Sequence, residues 1–313
     1  MTPGSQEGFR SESWSSSVPV ARSGPGVKTA TGGGTLPLLV TWLLSAQRVN
    51  SNPLFSSYRS LAARCTADAR TPFSDAPTAA VAVLRDGAWI PGVRVESASY
   101  SLTLPALLNA HTTAVALGRA DDIVALALSR PARPEEEAYV EQLSSGPFRF
   151  DPDDVWHLSE ASVDDLPTPE EACDPHLDRA LSSPTDGLAA ARRIARRAHV
   201  PASAYPVGVI FETANGALVP GVNVEHPDWT RILCAERNAL GTLQSYGLGT
   251  ARRGYLACLD DPEGTPCGAC RQWLAELAPE SDLWMERGND DPECASVSTL
   301  LPGSFRGRAL LDS

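Results

Sequence analysis

The sequence is short of positive charge, and lysine is almost missing from it. Its 313 residues hold 38 acidic side chains against 26 basic ones, for a net charge of −12, and Lys28 is the only lysine. Proteins that bind long nucleic acids neutralise phosphates with many lysines and arginines. We therefore expect no nucleic-acid partner, whereas a small uncharged ligand is compatible with this composition.

The sequence also has little that would suit a membrane or an oxidising compartment. Its most apolar stretch near the start, residues 36–44, is much shorter than the roughly 20 residues that span a bilayer. A signal-peptide core is the alternative for this stretch, but no basic cluster precedes it, which favours a short helix. Seven cysteines are an odd number and a poor basis for a disulfide framework. We expect a reduced, cytoplasmic protein with no membrane partner.

Two copies of one α/β unit occupy most of the chain. Residues 90–96 (Ile-Pro-Gly-Val-Arg-Val-Glu) closely match residues 219–225 (Val-Pro-Gly-Val-Asn-Val-Glu), and each segment belongs to the second strand of a predicted β-hairpin. The first copy is predicted to contain strands 79–84 and 89–95, helix 104–117, strand 123–128, helix 135–143 and strand 155–158. The second is predicted to contain strands 207–212 and 218–224, helix 232–243, strand 254–259, helix 269–277 and strand 283–286.

The order of these elements predicts the architecture and the domain boundaries. A strand–helix–strand crossover joins parallel neighbours and a hairpin is antiparallel, so each copy should be a three-layer α/β/α unit with a mixed sheet. The predicted organisation is a disordered tail at 1–35, a first domain at 36–159 that begins with a helical stretch at 36–70, a linker at 160–186 and a second domain at 187–313.

Three cysteines and one glutamate of the second copy have the spacing of a catalytic zinc site. Cys234 begins the run Cys-Ala-Glu-Arg, which contains Glu236, and Cys267 and Cys270 form a Cys-x₂-Cys pair. A structural zinc site normally has four protein ligands, whereas a catalytic site keeps three and leaves the fourth position to water. No fourth Cys or His stands at ligand spacing, so the pattern favours a metal-activated water with a proton-carrying carboxylate. A structural zinc knuckle is the alternative.

The charge of such a site needs compensation, because three thiolates leave Zn²⁺ with a net charge of −1. The cysteines are predicted at the N-termini of two helices, where partial positive charge lowers thiol pKa values. Arg237 and Arg271 follow the cysteine motifs, and we expect their guanidinium groups to face the sulfur atoms.

Five separate motifs of the second copy point to one family. They are residues 205–208 (Tyr-Pro-Val-Gly), 223–225 (Asn-Val-Glu), 234–237 (Cys-Ala-Glu-Arg), 266–272 (Pro-Cys-Gly-Ala-Cys-Arg-Gln) and 300–305 (Leu-Leu-Pro-Gly-Ser-Phe). With these motifs, residues 190–313 resemble the cytidine deaminase family. Several motifs in one order are far more specific than a single Cys-x₂-Cys pair.

The resemblance implies hydrolytic deamination of cytidine, and of 2'-deoxycytidine, in pyrimidine salvage. It implies one Zn²⁺ per chain, held by Cys234, Cys267 and Cys270. A zinc-activated water would attack C4 of the cytosine ring, and Glu236 would carry the protons without binding the metal.

The resemblance also assigns the nucleoside contacts. Asn223 and Glu225 would bind the ribose hydroxyls, Tyr205 and Phe305 would pack near the base, and backbone groups of Ala235 would recognise the base edge. Ordinary core packing is the alternative for the two aromatic residues, and a solvated strand end is the alternative for the two ribose-binding residues.

The first copy departs from these motifs. Around the matching helix it reads Leu-Asn-Ala-His at 108–111, and its later loop reads Pro-Ala-Arg-Pro-Glu at 131–135, so it should hold no zinc. It resembles the silent domain of two-domain deaminases, although with the domain order reversed. Single-domain members form tetramers, so a duplicated chain is expected to need only a homodimer.

Two other functions stay open from the sequence. One is deamination of another cytosine-bearing compound, such as a nucleoside antibiotic or a nucleic acid. Deaminases that act on nucleic acids usually have His at the position of Cys234 and need a basic groove, whereas this chain has Cys there and a net charge of −12. The other is a zinc-stabilised binding protein without turnover, against which Glu236 and the missing fourth ligand argue.

Overall fold

The computed structural model describes residues 52–288, 291–307 and 310–311. The predicted tail at 1–35 lies outside the described residues, as does the part of the predicted helical stretch 36–70 that precedes residue 52. Both copies of the repeat fall within one compact unit, Val49–Ser313. Within the described residues, no helix combines the length and apolar character needed to cross a membrane.

Each copy consists of helices and a five-stranded sheet, which confirms the predicted α/β class. The first copy contains α1 (Pro53–Cys65), β1 (Ala79–Leu84), β2 (Trp89–Val93), α2 (Ala106–Leu117), β3 (Ile123–Leu128), α3 (Pro134–Glu141), β4 (Phe148–Asp151) and β5 (Val155–Leu158). The second contains α4 (Pro184–Ala195), β6 (Val207–Thr213), β7 (Leu218–Val222), α5 (Ala235–Ser245), β8 (Ala251–Cys258), α6 (Gly268–Leu277), β9 (Asp282–Met285), β10 (Glu293–Ser296) and α7 (Val297–Leu300).

Helices α1 and α4 open the two copies, and α4 was not predicted from the sequence. It begins at Pro184, inside the range predicted as a linker. The Ser183 side chain accepts a hydrogen bond from the backbone N–H of Asp186 and caps the helix. The central strands β1 and β3 are buried along their whole length, as expected of strands with helices on both faces.

The two sheets share their first three strand positions and differ at the fourth. Their strand orders are β2-β1-β3-β5-β4 and β7-β6-β8-β9-β10. In the second sheet β8 and β9 are parallel, so this sheet is mixed as predicted. In the first sheet β3 and β5 are antiparallel, as are all its other pairs, so the prediction of a mixed sheet is wrong for the first copy.

An extra hairpin explains the difference. In the first copy the crossover through α3 leads to β4 at the sheet edge, and the chain then turns back so that β5 lies between β3 and β4. In the second copy the crossover through α6 leads directly to β9, and β10 forms the edge. The short segments that became β4 and β10 were not predicted, since four residues give little hydrophobic period.

Glycines show that the helices of the second copy cover opposite faces of its sheet. A Cβ on Gly208 would lie 2.5 Å from the backbone N of Ala195 in α4, and one on Gly221 would lie 2.3 Å from the carbonyl O of Ala235 in α5. Gly221 pairs with Val209, which is adjacent to Gly208 and therefore points to the other face. This gives the predicted three-layer arrangement in the second copy.

The two copies pack against each other through α2 and α5. The hydroxyl oxygens of Thr113 and Thr242, at equivalent positions of the repeat, lie 2.8 Å apart in this buried contact. Asn109 of α2 donates through its side-chain amide to the Gly241 carbonyl and the Ser245 hydroxyl of α5. A contact between equivalent residues is the mark of a local two-fold axis, so the copies pair like the two halves of a dimer.

Substituting Gly221 by alanine is expected to lower the free energy of unfolding by about 3 kcal/mol, the upper end of what overpacking costs. The new methyl group would push the N-terminus of α5 away from β7. Gly92→Ala in the first copy is the matched control, because its Cβ would lie 2.4 Å from the Ala106 carbonyl O at the N-terminus of α2. Urea denaturation should show both losses, whereas bound zinc should fall only in Gly221→Ala; equal zinc contents would contradict the placement.

Candidate metal centre

The three predicted zinc ligands lie together at the N-termini of two helices. Cys234 is the N-cap residue of α5 and Cys267 is the N-cap residue of α6, both with extended backbone angles, while Cys270 lies in the first turn of α6. Neither N-cap side chain makes the usual capping hydrogen bond. The sulfur atoms therefore point to a common centre and lie within 4.8 Å of one another.

The spacing of the sulfur atoms fits zinc. The Cys234 and Cys267 sulfurs are 3.7 Å apart, and tetrahedral zinc with Zn–S bonds of about 2.3 Å places its sulfur ligands about 3.8 Å apart. Among the residues that the structure describes, these three form the one group of histidine, cysteine and carboxylate ligands compact enough for an ion. The donor set leaves a fourth position for a non-protein ligand.

The thiols are electrostatically coupled. Hydrogen bonds from Cys234 and then Cys270, together with backbone N–H groups of α6, hold the pKa of Cys267 far below its usual value. The hydrogen bond to Cys267 raises the pKa of Cys234, and Cys270, fully buried beside both, is raised as well. The lowered pKa of Cys267 favours the thiolate, which is the form that zinc requires.

Glu236 lies in the first turn of α5, two residues after Cys234, and is only 3% exposed. Burial raises the pKa of its carboxyl group to about 7, and hydrogen bonds from its own backbone N–H and the Cys270 thiol, with Arg237 nearby, oppose the shift only in part. The helix N-terminus favours a carboxylate at this position. Geometry therefore brings one buried carboxyl group to the three thiols.

A cavity of about 160 Å³ opens beside the thiols. Of the residues predicted to bind the nucleoside, Tyr205, Asn223 and Ala235 line it, as does Glu236. The sequence analysis missed four further lining residues, Val207, Leu256, Cys258 and Thr265. Cys258 is 5% exposed and forms part of the wall. Its place at the end of β8, just before the loop to Cys267, could have indicated this.

Tyr205 and Asn223 are held in place by hydrogen bonds. The Tyr205 hydroxyl donates to the Asp261 carboxylate at 2.8 Å. The Asn223 side chain accepts from the Val207 N–H at 2.8 Å and donates to the Tyr205 carbonyl at 2.9 Å. The strand β6 and the segment before it are thereby fixed to the end of β7, and both side chains have defined positions at the cavity.

Glu225 and Phe305 do not line this cavity. The Glu225 carboxylate accepts hydrogen bonds from the backbone N–H groups of Ala202 and Ser203. Burial would raise its pKa, but these bonds and the Ser203 side chain outweigh burial and lower it. Phe305 is 56% exposed, since the segment after α7 runs along the surface. Phe305 is therefore not among the residues that enclose this cavity within the chain.

The hydrogen bonds of Arg237 and Arg271 go to oxygen atoms and, among the described residues, none goes to a sulfur atom of the site. Arg237 donates to the carbonyl of Leu102 in the first copy and lies over the Trp273 ring. Arg271 donates to the Pro266 carbonyl and the Thr265 hydroxyl, and so fixes the loop that leads into Cys267. Arg237 joins the two copies and Arg271 orders the loop, and the helix N-termini supply the positive potential at the sulfurs.

The first copy has the same shape but not the same chemistry. Its backbone bridge between Val95 and Leu104 matches that between Val224 and Leu233. Pro105 is therefore the equivalent of Cys234, and Leu107 is the equivalent of Glu236. Residues 108–111, which the sequence comparison matched to the Cys-Ala-Glu-Arg motif, lie three positions further along the chain than the true counterparts. His111 is buried, and its Nδ1 lies 2.9 Å from the Tyr139 hydroxyl. With Pro105 and Leu107 at these positions, the first copy has neither the cysteine ligand nor the carboxylate of the second copy.

Comparison with known proteins identifies the relatives of this chain. Residues 182–283 match the family model described as the cytidine and deoxycytidylate deaminase zinc-binding region. The cytidine deaminase of Sporosarcina psychrophila is 35% identical over 121 residues, which cover 38% of this chain and 88% of that protein. That of Halalkalibacterium halodurans is 34% identical over 118 residues, 37% of this chain and 88% of that protein.

Solved structures of similar proteins carry the same description. The crystal structure of the cytidine deaminase from Burkholderia pseudomallei is 28% identical, with a TM-score of 0.38, and the match covers 40% of this chain and all of that one. That of the Mycobacterium tuberculosis enzyme is 32% identical, with a TM-score of 0.33, covering 37% of this chain and 90% of that one.

The zinc-binding family model and the compact cysteine cluster together define a zinc-dependent deaminase. The chain belongs to the cytidine deaminase family. The zinc cofactor predicted from the cysteine spacing is thereby confirmed.

Proposed function

We propose that the protein hydrolyses cytidine, and 2'-deoxycytidine, to the corresponding uridine nucleoside and ammonia. The observation that carries the proposal is the buried Glu236 carboxyl group, which shares one small cavity with three thiols at two helix N-termini. A purely structural zinc site has no use for a buried carboxylate, whose desolvation costs free energy. A hydrolytic site needs such a group to move protons.

Cys234, Cys267 and Cys270 are proposed as the zinc ligands and Glu236 as the proton carrier. Zinc, when bound, lowers the pKa of a water molecule and so supplies a nucleophile at neutral pH. Glu236 accepts a proton from this water, delivers one to N3 of the ring and assists departure of the amino group from C4. One water enters and one ammonia leaves, so the carboxyl group returns to its starting state.

The remaining predicted contacts are proposed roles. The backbone of Ala235 at the N-terminus of α5 recognises the base edge, and the Tyr205 ring forms a wall against which the base packs. Asn223 borders the cavity and Glu225 lies two residues further along the same segment, which suits contacts to the ribose hydroxyls. This assignment supports a nucleoside as the substrate.

We also propose a homodimer that works in pyrimidine salvage in the cytoplasm. Among the described residues, three aromatic side chains are more than half exposed, Tyr100 by 87%, Trp229 by 84% and Phe305 by 56%, and such side chains are enriched at protein interfaces. In a dimer Phe305 could meet the base bound by the partner. All seven cysteines are free of disulfides, which suits a reducing compartment. Light scattering should give twice the mass of the chain; a stable monomer would contradict the dimer.

The function is tested by ammonia release from cytidine and 2'-deoxycytidine by zinc-loaded protein. We expect turnover of both nucleosides, because the proposed chemistry involves only the base and neither substrate differs there. Chelated protein should be inactive and should recover when zinc is restored. Bound zinc without ammonia release from either nucleoside would overturn the proposal.

A further inference from the structure

The first copy keeps a cavity where the second copy has its metal centre. This cavity has a volume of about 270 Å³, larger than the 160 Å³ of the zinc-side cavity. The structural match of the repeats makes four of its ten lining residues equivalent to residues of the zinc-side cavity: Thr78 to Val207, Arg94 to Asn223, Pro105 to Cys234 and Ala106 to Ala235. We call it the arginine cavity.

Positive charge replaces the metal chemistry in the arginine cavity. Its walls contain four arginines and two glutamates, which leaves a net charge of +2 in a chain whose net charge is −12. Three of the arginines come from the first copy and the fourth from the second. The four are Arg94, Arg130, Arg133 and Arg231.

Part of this charge has no close partner. Arg130 forms a bidentate pair with Glu136, and Arg94 pairs with Glu96 at 2.9 Å. The Nε groups of Arg94 and Arg130 are nevertheless buried without a hydrogen-bond partner among the described residues. Such groups cost free energy unless a ligand or water satisfies them.

The other two arginines have loose ion pairs. Arg133 lies 3.9 Å from Glu135, and Arg231 lies 3.6 Å from Asp228 and donates a long hydrogen bond of 3.4 Å to the Glu135 carbonyl. Charge-assisted hydrogen bonds between guanidinium and carboxylate groups are about 2.7–2.9 Å long. The Arg133 side chain is 57% exposed, so it can turn toward a ligand at little cost.

The N-terminus of α2 adds to the positive potential. Pro105 and Ala106 line the cavity, Pro105 is the N-cap residue without a capping side chain, and the first turn contains no acidic residue. The N–H groups of this turn therefore lack the anion that a helix N-terminus favours. In the second copy Cys234 and Glu236 occupy this place.

We propose that the arginine cavity binds a nucleotide through its phosphate group. Guanidinium forks together with a helix N-terminus form a phosphate site. A nucleotide suits the cavity better than phosphate alone, because four of its lining residues are counterparts of residues that line the cavity proposed to hold a nucleoside in the second copy; this preference rests on the proposed function. Arg231, the arginine from the second copy, ends a 3₁₀ turn three residues before Cys234.

The proposal is tested by calorimetry of the zinc-loaded full chain with uridine 5'-monophosphate, inorganic phosphate and uridine. The uridine compounds have no amino group to lose, so the heats contain no contribution from turnover, and the result does not depend on the proposed deamination. We expect uridine 5'-monophosphate to bind, and to bind more tightly than inorganic phosphate. Arg133→Gln and Arg231→Gln should each weaken its binding about tenfold.

Two controls locate the site. Arg252→Gln removes the same charge from an exposed position in β8 and should leave binding unchanged. Arg133→Gln should also leave cytidine turnover unchanged, since Arg133 lies outside the zinc-side cavity. Binding that resists both cavity substitutions would put the nucleotide at another site and overturn the proposal. No binding of uridine 5'-monophosphate or phosphate would overturn it as well.

Discussion

Replacing Glu236 by alanine is expected to lower kcat for cytidine by about 10²–10⁴-fold, the range that general acid–base catalysis contributes, while bound zinc stays near one per chain. The carboxyl group touches the reaction and not the metal in our assignment, so its loss should separate turnover from metal binding. Ammonia release and metal analysis of the same preparation measure both quantities.

The burial of Glu236 requires a second variant, because alanine leaves a void in a well-packed region. Glu236→Gln keeps the size of the side chain and removes its ability to exchange a proton, so it should show a similar loss of kcat with a smaller loss of stability. Glu263→Gln, at an exposed position of the loop before Cys267, is the control for charge. A Glu236→Gln protein with more than a tenth of the normal kcat would contradict the proton-carrier role.

The sequence predicted the metal centre well because its chemistry is local. Cys234 and Glu236 are two residues apart on one helix, and Cys267 and Cys270 are one helical turn apart on another. Each pair has its relative position set by helix geometry alone. What the pattern could not supply was the distance between the two helices, which the resemblance to a known family implied and the structure measures.

Contacts between the two copies could not be predicted in the same way. Arg237 follows the cysteine motif, and the nearest candidate partners in sequence were the thiols. Its actual partner is the Leu102 carbonyl, more than one hundred residues away along the chain, and it becomes available only because α2 and α5 pack together. The edge hairpin of β4 and β5 could not be predicted for the same reason, since the direction of a short strand depends on the strand with which it pairs.

Glu225 and its counterpart Glu96 make the same backbone contacts in the two copies. In the second copy the Glu225 carboxylate accepts hydrogen bonds from the N–H groups of Ala202 and Ser203. In the first copy the Glu96 carboxylate accepts hydrogen bonds from those of Phe73 and Ser74 in the equivalent loop. Since the first copy holds no metal ligands, this glutamate fixes a loop independently of catalysis. A ribose contact by Glu225 would therefore be an addition to a structural role, which the sequence motif alone could not separate.

Replacing Cys270 by serine is expected to lower zinc affinity by more than 100-fold, beyond the 10–100-fold that changes in groups touching a metal ligand cost. Cys270 is fully buried between the other two sulfurs, so no other described side chain is placed to substitute for it. Cys258→Ser is the matched control, because Cys258 lines the same cavity but is not one of the clustered thiols, and it should retain zinc.

Zinc should also stabilise the fold, because the ion joins the N-termini of α5 and α6. A ligand present at 1,000 times its Kd stabilises the native state by about 4 kcal/mol. Chelation should therefore lower the Tm of the unmodified protein and of Cys258→Ser by several degrees, and should leave the Tm of Cys270→Ser unchanged, since that variant has already lost the ion. A Cys270→Ser protein that keeps one zinc per chain, or whose Tm falls on chelation as in the unmodified protein, would show that the ion is held elsewhere.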